Sequence, residues 1–448
     1  VNILSITAGA AEMYCGSCLR DNALAATLLA RGHQVTLLPI YTPTVTDEPN
    51  VSSGQRVFLG GVSVYLQQHV PLFRHTPWFL DRLWDAPGVI KRLASRSIDV
   101  DPRMLGKLTV STLKGEGGHQ RKEIEKLVAW LEGEPPPDIV NLPNSMLIAL
   151  AGPIRRAVHR PIVVTLQGED LFLNALPDPY RQEALALIRR QIDDVDLFVA
   201  VSEYYAAFMS EYLSIPPEKI RTVPLGVTVD DLQPGLRARP VNRPFTIGYL
   251  ARVAPEKGLH NLAEAYRLLR EHRLLPPSRL VAAGYIASSE RKYLDGIVAR
   301  LTESGLGDEF EYLGAVDRAT KVRFLQGLDV LSVPSGYHEP KGLYLLEAMA
   351  CGVPVVQPNH GAFPEMIART GGGLIAGSER PADIADAIAV LWRNPDHTAA
   401  LSQRAVHGVR AYYTIDLMAD RMLDVYRELA GTRAASEPSH QTVSVARR

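Results

Sequence analysis

Residues 329–358 read DVLSVPSGYHEPKGLYLLEAMACGVPVVQP. The first seven, DVLSVPS (329–335), and the last six, VPVVQP (353–358), are short β-branched runs punctuated by Pro and Gly, which marks them as strands. Between them the chain predicts a loop and then a helix opening near Gly342. A strand, a helix and a strand in so short a span form a β-α-β unit, whose strands must be parallel.

The same alternation extends outward in both directions. Upstream in the second half lie FTIGYL (245–250), RLVAAG (279–284) and EFEYLG (309–314). After FTIGYL, Leu259, Leu262, Tyr266 and Leu269 recur every three or four positions, as on the buried face of a helix. The first half carries a second series: NILSIT (2–7), QVTLLPI (34–40), PDIVNLP (137–143), PIVVTLQ (161–167), LFVAVS (197–202) and IRTVPLG (220–226). In its first helix, LRDNALAATLLARG, residues Leu19, Ala23, Ala26, Leu29 and Ala30 are the expected core face, closed by Gly32.

Two Rossmann-like, doubly wound α/β domains are therefore expected, at residues 1–230 and 245–415. The Pro- and Arg-rich stretch 231–244 is the linker, 416–431 a C-terminal helix, and 432–448 a disordered tail. The interval 43–125 breaks the alternation. Its aromatic density, Trp78 and Trp84 in particular, suggests an acceptor platform, a lid or a membrane-facing patch, or else an inserted subdomain with its own core.

Composition excludes several classes of function. Among 448 residues, 48 Lys and Arg stand against 49 Asp and Glu, so there is no basic excess for binding nucleic acid. No apolar run reaches the roughly 18 residues of a transmembrane helix. Three cysteines, Cys15, Cys18 and Cys351, are too few for a disulfide framework and suit a reducing cytoplasm, with peripheral association at the inner face of the membrane as an alternative.

The chemistry concentrates in two loops. In GYHEPKGLYLLEAMACG (336–352), Glu339 precedes the helix and Glu347 lies about one and a half turns into it. The unpaired N–H groups of Gly342, Leu343 and Tyr344 offer a site for a diphosphate, Gly342 permits close approach, and a carboxylate at Glu347 can accept from both hydroxyls of a ribose. In RVAPEKG, Arg252 and Lys257 directly follow a strand at the edge where open α/β sheets bind ligands. Two cations there can clamp a diphosphate as its charge grows, each such hydrogen bond contributing roughly 1.5–3 kcal/mol. Either pair also occurs as ordinary solvated surface charge.

GYLARVAPEKG (248–258), GLDVLSVPS (327–335) and HEPKGLYLLEAMACGVPVV (338–356), followed by Gly361 and Glu365, together resemble the C-terminal half of the retaining family 4 glycosyltransferases of GT-B fold. The resemblance covers about residues 245–395. It is looser in the N-terminal half, in residues 2–31 and in SEYYAAFMSEYLSIPPEKIRTVPLGV (202–227). It implies that Arg252 and Lys257 hold the diphosphate of a nucleotide sugar (UDP-, GDP- or ADP-linked), Glu347 the ribose and Glu339 the transferred sugar. Gly16, Gly248, Gly342 and Leu343 would line the donor site. It further implies no metal, transfer with retention, an acceptor bound by the N-terminal domain, and a C-terminal helix returning to that domain. A short segment, GGVSVYLQQHVPLF (60–73), is similar to glycogen and starch synthases.

Three positions depart from the family pattern. Gln167 stands where many relatives carry His, Leu225 replaces an Asn, and only Gly16 remains of a Gly-Gly pair. Gln167 can still hydrogen-bond a sugar but cannot change charge. It favours a rival reading as a noncatalytic binding protein of the same fold; a GT-B phosphorylase or epimerase is the other rival. The Cys15-x-x-Cys18 spacing also leaves a redox pair open, since a helix N-terminus lowers a thiol's pKa.

Overall fold

The computed structural model describes residues 1–9, 16–52, 67, 102–235, 243–272, 274–275 and 277–434. Within them the chain forms two parallel six-stranded sheets, one in each half, in a GT-B arrangement. The first contains β1 (Asn2–Thr7), β2 (Gln34–Pro39), β3 (Ile139–Leu142), β4 (Ile162–Leu166), β5 (Leu197–Ala200) and β6 (Ile220–Thr222), in the order β2-β1-β3-β4-β5-β6. The second contains β7 (Phe245–Leu250), β8 (Ser278–Ala283), β9 (Phe310–Tyr312), β10 (Val330–Leu331), β11 (Val355–Pro358) and β12 (Gly373–Ala376), in the order β12-β11-β10-β7-β8-β9.

Burial on both faces explains why the central strands read as continuous apolar runs rather than alternating ones. All five residues of β4, IVVTL, are buried, as are all four of β3 and of β5. Every predicted strand is present at the core of its run. β12 has no counterpart in the sequence reading, because GLIA lies between glycines and only its last residue is fully buried.

The helix Leu259–Glu271 buries Leu259, Leu262, Tyr266 and Leu269, the face that periodicity predicts. The helix Gly16–Ala30 does not follow its predicted face. Of the five expected core residues only Ala23 is buried, Leu29 is exposed, and Arg20, Asp21, Asn22, Leu24, Ala25 and Leu28 are buried instead. The reason is a second neighbour. Besides the sheet, this helix packs against the C-terminal helix Ile415–Ala434, whose Met418, Met422 and Tyr426 join Leu24, Leu28, Ile3 and Ile139 in one apolar cluster. Two packed flanks blur a single stripe, and Arg20 tolerates burial through its ion pair with Asp21 at 3.0 Å.

In the interval 43–125 the described residues include the helix Pro102–Leu113, and Arg121–Glu132 follows at its end. Trp78 and Trp84 lie outside the described residues, as do Cys15 and residues 435–448. Cys18 and Cys351 are buried. No helix among the described residues is long and apolar enough to cross a membrane.

Counted from β7, the second sheet has the order 3-2-1-4-5-6, which reverses direction between β7 and β10. In open α/β sheets such a reversal is where ligand-binding crevices lie, at the carboxyl ends of the strands. Gly258, at the end of the loop after β7, has φ +72°, and a Cβ on it would stand 1.9 Å from the Pro334 carbonyl oxygen in the loop after β10. Gly258→Ala is therefore expected to lose about 1–2 kcal/mol to left-handed backbone strain and a further ~1–3 to overpacking. Urea denaturation measures this loss, and an unchanged midpoint would show that the two loops do not need this contact.

Candidate functional site

The two crevice loops are joined by main-chain and hydroxyl contacts. Gly336 N–H donates to the Glu256 carbonyl at 3.1 Å, and Ser335 Oγ donates to the same oxygen at 2.9 Å. This brings Lys257, in a short turn after β7, against Glu339, in the loop after β10, with Lys257 Nζ donating to Glu339 Oε2. The side chains are 14% and 5% exposed, so the pair is largely out of water. Burial alone would raise the Glu339 carboxyl. The Lys257 ammonium, with Lys341 and its backbone N–H, outweighs burial and holds the carboxyl below its ordinary value.

Gly342, with φ +69°, caps the helix Leu343–Ala350, so the free N–H groups at its start adjoin this pair in the chain. Arg252 is half-exposed and donates to Glu256, four residues on. Gly248, expected at the site, sits within β7 instead. A Cβ there would come 2.2 Å from the buried Leu328 side chain, so the missing side chain serves strand packing.

The first domain forms the opposite wall. Gly16 opens the helix Gly16–Ala30 close to Leu343 and Lys341, and Lys341 Nζ donates to Ser17 Oγ at 2.7 Å. Gly168 lies against Pro340, and Tyr337 Oη donates to Asp170 Oδ1 at 2.8 Å across the crevice. Lys257 Nζ stands 5.7 Å from the centre of the Tyr337 ring. Asp170, Tyr337, Lys257 and Glu339 thus form a continuous polar chain from one domain to the other. Burial and the Asp170 charge push the Tyr337 phenol well up, keeping it a neutral donor.

Gln167 is 3% exposed. Its Nε2 donates to the Pro143 carbonyl at 2.8 Å, while Oε1 is buried without a hydrogen-bond partner among the described residues. An orphaned amide oxygen at the end of β4 is a ready acceptor for a hydroxyl. Beside Glu339, His338 and His360 stack with ring centres 4.6 Å apart.

Glu347 lies on the helix Leu343–Ala350, with Oε1 accepting from Lys321 Nζ and standing 3.5 Å from an Arg318 nitrogen. Sequence reasoning missed Lys321, Arg318, Tyr337 and Asp170. All four act through partners distant in the chain, and no local spacing signals that. Lys341 was within the quoted motif and carried its own signal, a cation beside Glu339.

Two family models match consecutive parts of the chain: Glycosyltransferase Family 4 over residues 110–231 and Glycosyl transferases group 1 over residues 237–407. The chain belongs to this family of group 1, family 4 glycosyltransferases. Curated relatives include the D-inositol 3-phosphate glycosyltransferase of Mycolicibacterium paratuberculosis, 30% identical over 53% of this chain and 53% of that protein. Another is the GDP-mannose-dependent alpha-(1-6)-phosphatidylinositol monomannoside mannosyltransferase of Mycobacterium tuberculosis, 25% identical over 63% of this chain and 73% of that one. The chain spans about half the length of several of the inositol phosphate enzymes it matches, those of Segniliparus rotundus and Mycolicibacterium paratuberculosis among them. Among solved structures, sucrose-phosphate synthase of Thermosynechococcus elongatus superposes with a TM-score of 0.69 at 18% identity, over 96% of this chain and 99% of that one. The Anabaena protein HepE with UDP and glucose gives 0.64 at 16% identity, over 96% and 100%. At these identities the likeness is one of fold.

Removing one member of a buried pair strands the other charge. Lys257→Met is expected to destabilise the fold by about 3–5 kcal/mol, and Lys257→Met with Glu339→Gln by distinctly less. Because the Glu339 carboxyl is depressed, its contribution is present above the ordinary carboxylate range and is lost as pH falls through its folded value. Glu339→Gln should flatten that acid limb in denaturant titrations; an unchanged limb would show that Glu339 is not held ionised.

Proposed function

We propose that the chain transfers a sugar from a nucleotide diphosphate donor to an acceptor with retention at the anomeric carbon. The observation that carries the reading is the convergence, at the switch point of the second sheet, of Lys257 on Glu339 beside a helix N-terminus, with Arg252 in the same loop. This arrangement suits a diphosphate held by cations and backbone N–H groups, and a sugar whose hydroxyls meet Glu339.

In the proposed step the bond from the anomeric carbon to the diphosphate oxygen breaks, and the acceptor oxygen bonds to that carbon on the same face. The acceptor proton passes to a diphosphate oxygen. No side-chain base is needed, so an uncharged Gln167 is compatible with turnover; its buried Oε1 would accept from a sugar hydroxyl that reached it. Arg252 and Lys257 stabilise the charge that develops on the leaving diphosphate. Contacts across the crevice through Tyr337, Lys341 and Ser202, whose Oγ donates to the Pro340 carbonyl at 3.0 Å, would exclude water and suppress hydrolysis.

The relatives' names support a hydroxylated, phosphorylated acceptor of cyclitol or glycolipid type, and the buried thiols Cys18 and Cys351 suit a reducing cytoplasmic setting. The rival, a noncatalytic binding protein, draws on Gln167 alone.

A thermal-shift screen against UDP, GDP, ADP and their sugars tests the donor site. A ligand at 100 times its dissociation constant adds about 2.7 kcal/mol of stability. The expected result is a response selective for one base and reduced in Arg252→Ala. Turnover of the responding donor should fall by about 10²–10³-fold in Arg252→Ala with the fold intact. Binding without any turnover in the native chain would favour the noncatalytic rival.

A further inference from the structure

We propose that Lys321 is a positioning residue that ties the orientation of Glu347 to the closure of the two domains. The inference rests on reading Glu347 as the group that meets the donor ribose.

Lys321 lies on the helix Arg318–Gly327, and its side chain is 9% exposed. Its Nζ donates to two carboxylates at once: Asp47 Oδ2, from the loop after β2 in the first domain, and Glu347 Oε1, from the second. Those side chains are 8% and 12% exposed. Arg318 backs the bridge. Its Nε and a terminal nitrogen fork onto Asp231 at 2.8 and 2.7 Å, and it also donates to the Thr228 carbonyl at 3.0 Å, both in the strand-to-linker segment between the domains. Another Arg318 nitrogen stands 3.5 Å from both Glu48 and Glu347. Buried Lys321 and part-buried Arg318 therefore gather acids from the first domain, from the segment between the domains and from the second domain.

This is not an ordinary surface network, because its central atoms are removed from water. Burial alone would lower the Lys321 ammonium, but Glu347 and Asp47 together outweigh it and hold it above its ordinary value, so it is charged at neutral pH. Both cations reach Glu347 through Oε1, and Oε2 accepts no hydrogen bond among the described residues. A carboxylate pinned by one oxygen presents the other in a fixed direction, which is what recognition of a ribose hydroxyl requires. Without Lys321, Asp47 and Glu347 would face each other as like charges in a poorly solvated site, and two such carboxylates resist joint ionisation. Either Glu347 turns away or the first domain withdraws. The contact with ribose and the approach of Asp47 are thus one coupled equilibrium.

Calorimetric titration with UDP and with GDP tests this in the full chain, alongside the melting temperature of each unliganded variant. Lys321→Met should weaken the nucleotide that binds the native chain by about 10-fold or more, an effect in the range of coupled neighbours. Adding Asp47→Asn should restore part of that loss by removing the like charge, and Lys321→Arg should stay within about 3-fold of native. In a Glu347→Gln background the same Lys321→Met change should alter affinity by less than about 2-fold. Native affinity in Lys321→Met, beside weakened binding in Glu347→Gln, overturns the coupling and leaves the donor-site reading intact. Unchanged affinity in Glu347→Gln overturns that reading and this inference with it. A loss in Lys321→Met that Asp47→Asn does not relieve means simple damage, and also overturns the coupling. Should Lys321→Met not fold, Asp47→Asn alone carries the test: compaction on nucleotide binding, read by small-angle scattering, should shrink to half or less, and undiminished compaction overturns the proposal.

Discussion

The buried contact between Lys257 and Glu339 is the constraint on which the site depends. It joins the loops leaving β7 and β10, the two strands at which the second sheet reverses, and it does so where water cannot weaken it. Neither charge could be buried alone. The loop after β10 must therefore return to the loop after β7 before the helix Leu343–Ala350 can begin, which fixes where that helix points its free N–H groups. Gly258 and the hydroxyl of Ser335 accommodate the close approach that this demands.

From that pair the polar order spreads outward into the first domain. Tyr337 lies against Lys257 and reaches Asp170, whose Oδ1 also accepts from Tyr205 at 2.7 Å; Glu169 Oε2 stands 3.3 Å from the same Tyr205 oxygen. Glu169 Oε1 receives the backbone and hydroxyl of Ser145. A second tie runs beside it, where the Glu365 carboxylate accepts from the N–H groups of Glu203 and Tyr204 and caps a first-domain helix from the second domain. The two halves are thus joined by specific, directional bonds as well as by apolar packing, since one buried cluster runs from Leu225, Val227 and Leu232 to Leu328, Leu346 and Tyr413.

Much of this was legible in the sequence, for identifiable reasons. Strands buried on both faces must be continuous apolar runs, so β4 and β7 stand out, and a helix with one packed face, such as Leu259–Glu271, declares its period. Where two faces are packed the period disappears, which is why the buried side of Gly16–Ala30 was misjudged. β12 was invisible because an edge strand of four residues between glycines has neither length nor pattern. Gly248 was expected at the donor site from the family resemblance alone. A glycine in a strand can face a ligand or a neighbouring side chain, and here the neighbour is Leu328.

The candidate site divides along the same line. Glu339, Lys257, Arg252 and Gly342 lie within loops whose position at a strand end is itself a signal. The partners that decide how those groups behave come from elsewhere: Asp170 is 167 residues from Tyr337, and Asp47 is 274 residues from Lys321. Pairings at such separation leave no spacing to read, and each acid or base looks like an ordinary surface charge until the fold closes over it. Glu347 makes the point most sharply. Its spacing from Glu339 suggests a carboxylate waiting for a ribose, yet Oε1 is already engaged by Lys321 within reach of Arg318, and Oε2 accepts no hydrogen bond among the described residues. On the proposed reading, the motif specifies which group meets a ligand, whereas the distant cations set the direction in which it is held.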